Sequence, residues 1–412
     1  MAGIKRIKIQ MENIIALAII SPVLEDIVRV ALLFVGRQAN SYISLIDSGL
    51  FLICYFGIIY IELGRTEHKS LSCSFVTSVC MIFLFIVSIF LDEAVKEYTA
   101  DFRSLIYRLP LYIYIGREFC FAEKVIDKII KFSPFIIIYA VIALFLDKDV
   151  DHSMNVSYYI LPFTIFSYIK YQKNKKITYL ILSILLAFIL ISSGKRMTLL
   201  CYLLYVVVDI LLIQRIRSKR LITLIILCLL SLISVSIFRE DIPKLLVKMF
   251  PNSKSVSTFV QHDFFYSSGR DSIYDNLISS MKEDPIKIRG LYADRVFFQF
   301  NYKSLDFWVS DDNRSRIYAH NVFIEILYDF GILLGGFIVI VIILKIINMI
   351  KILLSELSDD IKRIIVCIFS FSFAPTLVSR SFLVYPYFWI FVGMMFSLGF
   401  LSKQIDNDQY IY

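Results

Sequence analysis

The chain reads as an all-α polytopic membrane protein with about twelve transmembrane helices and one large extracytoplasmic loop. Three observations carry that reading. Hydrophobic residues make up 58% of 412 positions and charged residues 19%, with a mean hydropathy of +0.72; a soluble domain has about 45–50% apolar and about 25% charged residues. Apolar runs recur along the chain, and as helices they are long enough to cross about 30 Å of hydrocarbon. Lys and Arg collect in alternate gaps between those runs, as expected for loops retained on the cytoplasmic side.

Twelve candidate spans follow in order: 13–35, 42–62, 71–91, 104–120, 132–147, 155–170, 177–193, 197–214, 221–238, 320–345, 361–379 and 382–402. The first run is too long for a cleavable signal peptide and leads into further spans. The fourth is interrupted by Arg103, Arg108 and Pro110, yet charge alternation requires it. Counting it places Lys5/Arg6/Lys8, Arg65/Lys69, Lys124/Lys128/Lys131, Lys173/Lys175/Lys176, Arg215/Arg217/Lys219/Arg220 and Lys362/Arg363 on one side. Asp92/Glu93 and the run Asp147-Lys148-Asp149-Val150-Asp151 fall on the other. Both termini are then cytoplasmic. The chain divides into a bundle at 1–238, an extracytoplasmic cap with an amphipathic helix at 239–319, and a second part of the bundle at 320–412.

Several features have plain explanations. The net charge of +8 belongs to topology, so no nucleic-acid partner is expected. Seven cysteines, including Cys120 and Cys228, lie in or beside apolar runs without CxxC or Cys/His spacing, which indicates neither a disulfide framework nor zinc. Asp147, Asp149 and Asp151 could hold a metal, but an acidic solvated turn respects the topology better. Glu25 and Arg29, four apart in the first span, are expected to pair on one helix face.

Three segments carry chemistry. Ser192-Ser193-Gly194-Lys195-Arg196 places two cations at an outer helix start, where exposed N–H groups favour anions. Gly269-Arg270-Asp271 opens a segment with Ile273, Leu277, Ile278 and Met281 at helical spacing, ending before Pro285. There the macrodipole disfavours an arginine, which points to an anionic partner; pairing with Asp271 or Asp275 is the bland alternative. Finally, His320-Asn321 opens the tenth span. A helix N-terminus disfavours imidazolium, leaving His320 able to accept a proton; a cap or packing role is the usual use of such a histidine. Two arginines suit a pyrophosphate, which they grip through paired N–H donors. Arg289, Arg295, Arg314, Arg316 and, between the last two spans, Arg380 are further cations on that side, and Tyr292, Phe297, Phe298, Tyr302 and Trp308 are aromatics able to stack on sugars.

In order and topology, Ser193-Gly194-Lys195-Arg196, then Gly269-Arg270, then His320-Asn321-Val322-Phe323-Ile324-Glu325 with Gly331 and Gly335-Gly336, resemble the O-antigen polymerase (Wzy) and O-antigen ligase superfamily. The resemblance implies a GT-C-like helical enzyme of the bacterial cytoplasmic membrane, active on its outer face. It implies a metal-independent, inverting glycosyltransferase without cofactor, whose donor and acceptor are polyprenyl-pyrophosphate-linked oligosaccharides. The catalytic set would be His320, Arg270 and Arg196, with Lys195, Arg289, Arg295, Asn321 and Arg380 binding substrate. A chain-length regulator and a flippase are its expected partners. The glycine-rich stretch such proteins carry between Arg270 and His320 is reduced here to Gly290. A polysaccharide flippase is the competing class, although such transporters keep their charges near the midplane, often between related halves.

Overall fold

A computed structural model describes residues 2–34, 40–63, 69–118, 122–146, 150–192, 196–214, 248, 269–301, 305, 317–355 and 357–409. All regular elements among them are helical. The first half contains α1 (Ala2–Phe34), α2 (Asn40–Leu63), α3 (Lys69–Leu91), a 3₁₀ turn at Glu93–Tyr98 and α4 (Thr99–Arg117). Then come α5 (Ala122–Lys131), α6 (Ser133–Leu146), α7 (Val150–Asn174), α8 (Ile177–Ser192) and α9 (Arg196–Val208), which ends in a π turn at Asp209–Ile213. The cap contributes α10 (Arg270–Glu283) and α11 (Ala293–Asn301). The remainder is α12 (Val322–Phe330), α13 (Gly336–Leu354), α14 (Asp359–Ile368) and α15 (Phe388–Gln409). Most of the cap and the expected ninth span, 221–238, lie outside the described residues, as do Cys228, Arg314, Arg316, Tyr302, Trp308 and Asp147-Lys148-Asp149.

Two of the described helical stretches, Ser72–Leu91 and Val322–Leu354, are long and apolar enough to cross a membrane, with mean hydropathies of 2.6 and 2.9. Only 28% and 17% of their most apolar windows is buried. A core helix of a soluble protein would hide that surface. Here Phe83 and Phe90 on α3 and Leu333, Phe337 and Leu344 near and on α13 remain exposed. A patch of this size would drive association in water; in hydrocarbon it faces its natural solvent, because every backbone group is bonded within the helix. Shorter apolar helices accompany them, among them Gly49–Tyr60, Ile177–Leu190 and Phe388–Leu398. The architecture is that of a helical membrane protein.

Close backbone approach, together with charge pairing, secures α4, the helix at the expected fourth span. A Cβ on Gly116 would stand 2.0 Å from the Ile390 carbonyl oxygen, and one on Gly393 would stand 2.1 Å from that of Ile113. The two glycines therefore let α4 and α15 meet backbone to backbone. The Tyr112 hydroxyl donates to the Ala18 carbonyl at 3.1 Å and that of Tyr387 to Ile19 at 2.9 Å, tying α1 to the same core. Arg108, the charge that weakens α4 as a span, meets Glu25 at 2.6 Å. Glu25 thus pairs across helices with Arg108, correcting the expected pairing with Arg29: the pair removes a cation from hydrocarbon, which an i,i+4 pair on α1 alone would not do.

Side-chain pairings tie distant helices together. Lys124 meets Glu12 at 3.5 Å, Lys173 meets Asp360 at 3.4 Å, and Arg363 meets Asp209 at 3.0 Å. The Leu291 amide donates to Ser88 at 2.8 Å and Arg295 faces Asp101 at 3.5 Å.

The cap helices have their own core. Ile273, Leu277 and Met281 of α10 pack with Ala293, Phe298, Ile317 and Tyr328, while Ile278 is partly exposed. Gly290, at φ +93°, brings the following loop onto α3, where a Cβ would lie 2.7 Å from the Ser88 hydroxyl. Gly331, at φ +71°, stands over the Ile286 carbonyl and opens the π turn Gly331–Gly335 between α12 and α13.

Candidate active site

His320 precedes the helix that the sequence expected it to begin. Asn321 is the N-cap of α12, its side-chain oxygen accepting from the Phe323 and Ile324 amides at 2.9 and 3.2 Å. Its side-chain nitrogen donates to the Leu377 carbonyl at 2.9 Å. Asn321 therefore fastens the start of α12 to the segment that carries Leu377. With the first helical amides satisfied by Asn321, His320 stands outside the helix in the left-handed region, φ +53°. For a non-glycine residue that conformation costs on the order of 1–3 kcal/mol and persists only where its surroundings impose it.

Four contacts impose it. The His320 Nδ1 lies 3.3 Å from the Ser379 carbonyl oxygen. A carbonyl can only accept, so this contact requires the proton on Nδ1; in the neutral ring Nε2 then carries the lone pair, the tautomer a general base needs. The Tyr318 hydroxyl donates to the same carbonyl at 2.8 Å, and its ring lies against the imidazole with centroids 4.0 Å apart. The Ala319 amide donates to Asp294 at 2.8 Å. Ser379 is itself fixed: its hydroxyl accepts from Tyr158 at 2.6 Å, and its amide donates to the Pro375 carbonyl at 3.0 Å.

Cations surround this turn. The Arg380 guanidinium lies 4.0 Å above the Tyr158 ring and 6.0 Å from that of Tyr385. The Tyr318 hydroxyl is within electrostatic reach of Arg380, Arg295 and Arg270. Burial pushes this phenol above its usual range against the pull of those arginines, so it stays a hydrogen-bond donor at neutral pH. Arg380 stays firmly charged: burial alone would weaken it, but Tyr158, Tyr318, Tyr159 and Tyr385 outweigh that. Arg270 is the first residue of α10, after Gly269 in the left-handed conformation at φ +80°. Tyr318, whose ring lies against His320, is thus the group that these arginines act on.

Arg295 is a different kind of group. Its side chain is 5% exposed, and its guanidinium lies 5.1 Å from the Tyr292 ring, 5.3 Å from Tyr318 and 5.8 Å from Tyr98. It lies among these three rings, against Tyr318. Burial, which would lower its affinity for the proton, is outweighed by Asp294, Tyr292, Glu325 and Asp101. Arg289 is held by backbone carbonyls. It donates to the carbonyls of Ser280 and Asp284, each at 3.1 Å, and lies 4.7 Å over the Tyr328 ring, closing the end of α10. Tyr292 and Phe298 are fully buried and give no sugar platform.

For Arg196 the structure describes only the backbone, as the first residue of α9; Lys195 lies outside the described residues. The helix packs against the turn Ala374–Leu377.

Sequence reasoning missed the groups behind the site. Asp294, Glu325 and Asp329 are completely buried. Glu325 accepts from the Ser381 hydroxyl and from the Phe382 amide at 3.4 Å, joining α12 to the turn that carries Arg380. Two carboxylates four apart in an apolar helix were a signal that could have been read, since charges in a span are costly. The Ser379 carbonyl has no signature at all, because every residue has one.

Residues 181–341 match the family model Wzy_C, described as O-antigen ligase. The match runs from within α8 into α13 and includes Arg196, Arg270 and His320. It supports the resemblance to the O-antigen polymerase and ligase superfamily. No curated protein and no solved structure matches the chain.

Proposed function

We propose that this chain is an oligosaccharide repeat-unit polymerase of O-antigen, capsule or exopolysaccharide synthesis. It moves a growing glycan from polyprenyl pyrophosphate onto a lipid-linked repeat unit at the outer face of the bacterial cytoplasmic membrane. The observation that carries this is the fixed imidazole of His320, its Nδ1 on the Ser379 carbonyl, against Tyr318, on which Arg270 and Arg380 act. A general base beside cations suits transfer from a pyrophosphate leaving group.

In that reaction an acceptor hydroxyl attacks the anomeric carbon of the donor sugar while its proton passes to Nε2 of His320. The bond from that carbon to the pyrophosphate oxygen breaks, and polyprenyl pyrophosphate departs with the electron pair. Arg270, Arg196 and Arg380 offset the charge developing on it; prepositioned donors in a water-poor site are effective at this. Attack from the face opposite the leaving group inverts the anomeric configuration.

The description of the matching family favours a second reading, ligation of the glycan to a lipid A core sugar. The two differ only in acceptor, so one experiment separates them. Purified protein in lipid vesicles, given lipid-linked repeat units with and without lipid A core, should produce a ladder of lengthened glycans in both cases. A single addition to lipid A core and no ladder would establish the ligase; transport without lengthening would establish the flippase.

A further inference from the structure

We propose that Asp294 is a positioning residue for His320: its buried carboxylate holds the Ala319 amide and thereby sets the left-handed turn that aims the imidazole. The proposal rests on the assignment of His320 as base. One carboxylate oxygen accepts from the Arg295 amide at 2.9 Å, an ordinary contact for an acid in the first turn of a helix. The other reaches 25 residues along the chain to Ala319 at 2.8 Å, the last amide before His320. That second bond has no part in forming α11.

Its place among the anchors of the turn is distinctive. Tyr318, His320 and Asn321 all fasten to the segment Leu377–Ser379. Asp294 fastens the same turn to the cap, whose helix α10 begins with Arg270. Through Asp294 the cap that carries a pyrophosphate-binding arginine and the base that deprotonates the acceptor share one rigid link. A side chain that is completely buried meets neither substrate, so its influence passes through the groups it holds.

The test uses the full chain in lipid vesicles with Asp294→Asn, whose single amide oxygen can serve only one of the two amides, and Asp294→Ala. Misplacing a base by about 1 Å costs up to about 100-fold in rate. The expected result is a kcat for glycan transfer lowered about 10–100-fold, with KM for the lipid-linked donor within about twofold of wild type. A second readout needs no turnover. Carbethoxylation of His320 by diethyl pyrocarbonate, followed by peptide mass spectrometry, should be several-fold faster in both variants as the turn loosens. If the wild-type protein transfers no glycan, the proposed function fails while the carbethoxylation comparison still tests the link. Unchanged kcat and unchanged His320 reactivity would overturn the proposal. So would a change confined to KM, or failure of both variants to reach the membrane, which would assign Asp294 to folding.

Discussion

Tyr318 and His320 share one acceptor: the phenol donates to the Ser379 carbonyl at 2.8 Å, and the imidazole Nδ1 lies 3.3 Å from the same oxygen. Their rings are in contact, centroids 4.0 Å apart. A single backbone carbonyl thus fixes the tautomer of the proposed base and the orientation of the tyrosine that links it to Arg295. Since Ser379 is tied to Tyr158, over which Arg380 lies, the base and the cation are set by the same few atoms.

His320→Ala should reduce chain growth by about 10²–10⁴-fold, the usual contribution of general-base catalysis. Protein abundance in the membrane should not change, because the α12 cap is made by Asn321 and does not involve the His320 side chain. Gel analysis of lipid-linked glycans against an immunoblot of the same membranes checks both halves. Wild-type ladders from the variant would remove His320 from the mechanism.

Arg270→Ala should lower glycan transfer by about 10²–10³-fold, as for loss of one donor to a developing anion. Arg380→Lys is the sharper variant. It keeps the charge but loses the flat guanidinium that lies 4.0 Å over Tyr158, so a clear loss of kcat/KM is expected where simple charge would suffice for recovery. Steady-state kinetics on a defined lipid-linked donor decide whether stacking matters.

Above pH 10 the protein should lose stability, and Tyr98 and Tyr292 should contribute. Burial pushes both phenols well above the usual tyrosine value of 10.0. The folded state keeps protons that the unfolded chain releases, so stability falls as pH rises past that value and is intact below it. Neither hydroxyl has a hydrogen-bond partner among the described residues. Tyr292→Phe should therefore leave stability unchanged or raise it by about 1 kcal/mol, and should flatten the alkaline loss. Thermal unfolding in detergent from pH 8 to 11 measures it; a steeper alkaline loss in the variant would contradict the assignment.

Gly116→Val and Gly393→Val should each destabilise the bundle by about 1–3 kcal/mol or more, the scale of overpacking in a close-packed interior. Each added Cβ would fall within 2.1 Å of a carbonyl oxygen on the facing helix. Gly336→Val is the control, since a Cβ there meets nothing within 4 Å. Unfolding temperatures of the three purified variants should separate them cleanly.

The sequence by itself determined the helical class and where to look. Its apolar runs foretold helices with exposed apolar faces, as α3 and α13 have, and the spacing of Ile273, Leu277 and Met281 foretold the packed face of α10. Charge alternation grouped the outward segments that carry Arg270, His320 and Arg380. These are local or statistical properties, set by periodicity and by the cost of charge in hydrocarbon. Tertiary structure decided what each polar group does. Arg295 and Arg289 look like Arg270 in the sequence, yet one lies against Tyr318 and the other closes α10, because burial and facing carbonyls are created only when distant segments meet. It also decided that Glu25 pairs with Arg108 and that Asp294 reaches Ala319, contacts between positions 83 and 25 residues apart for which no local pattern exists.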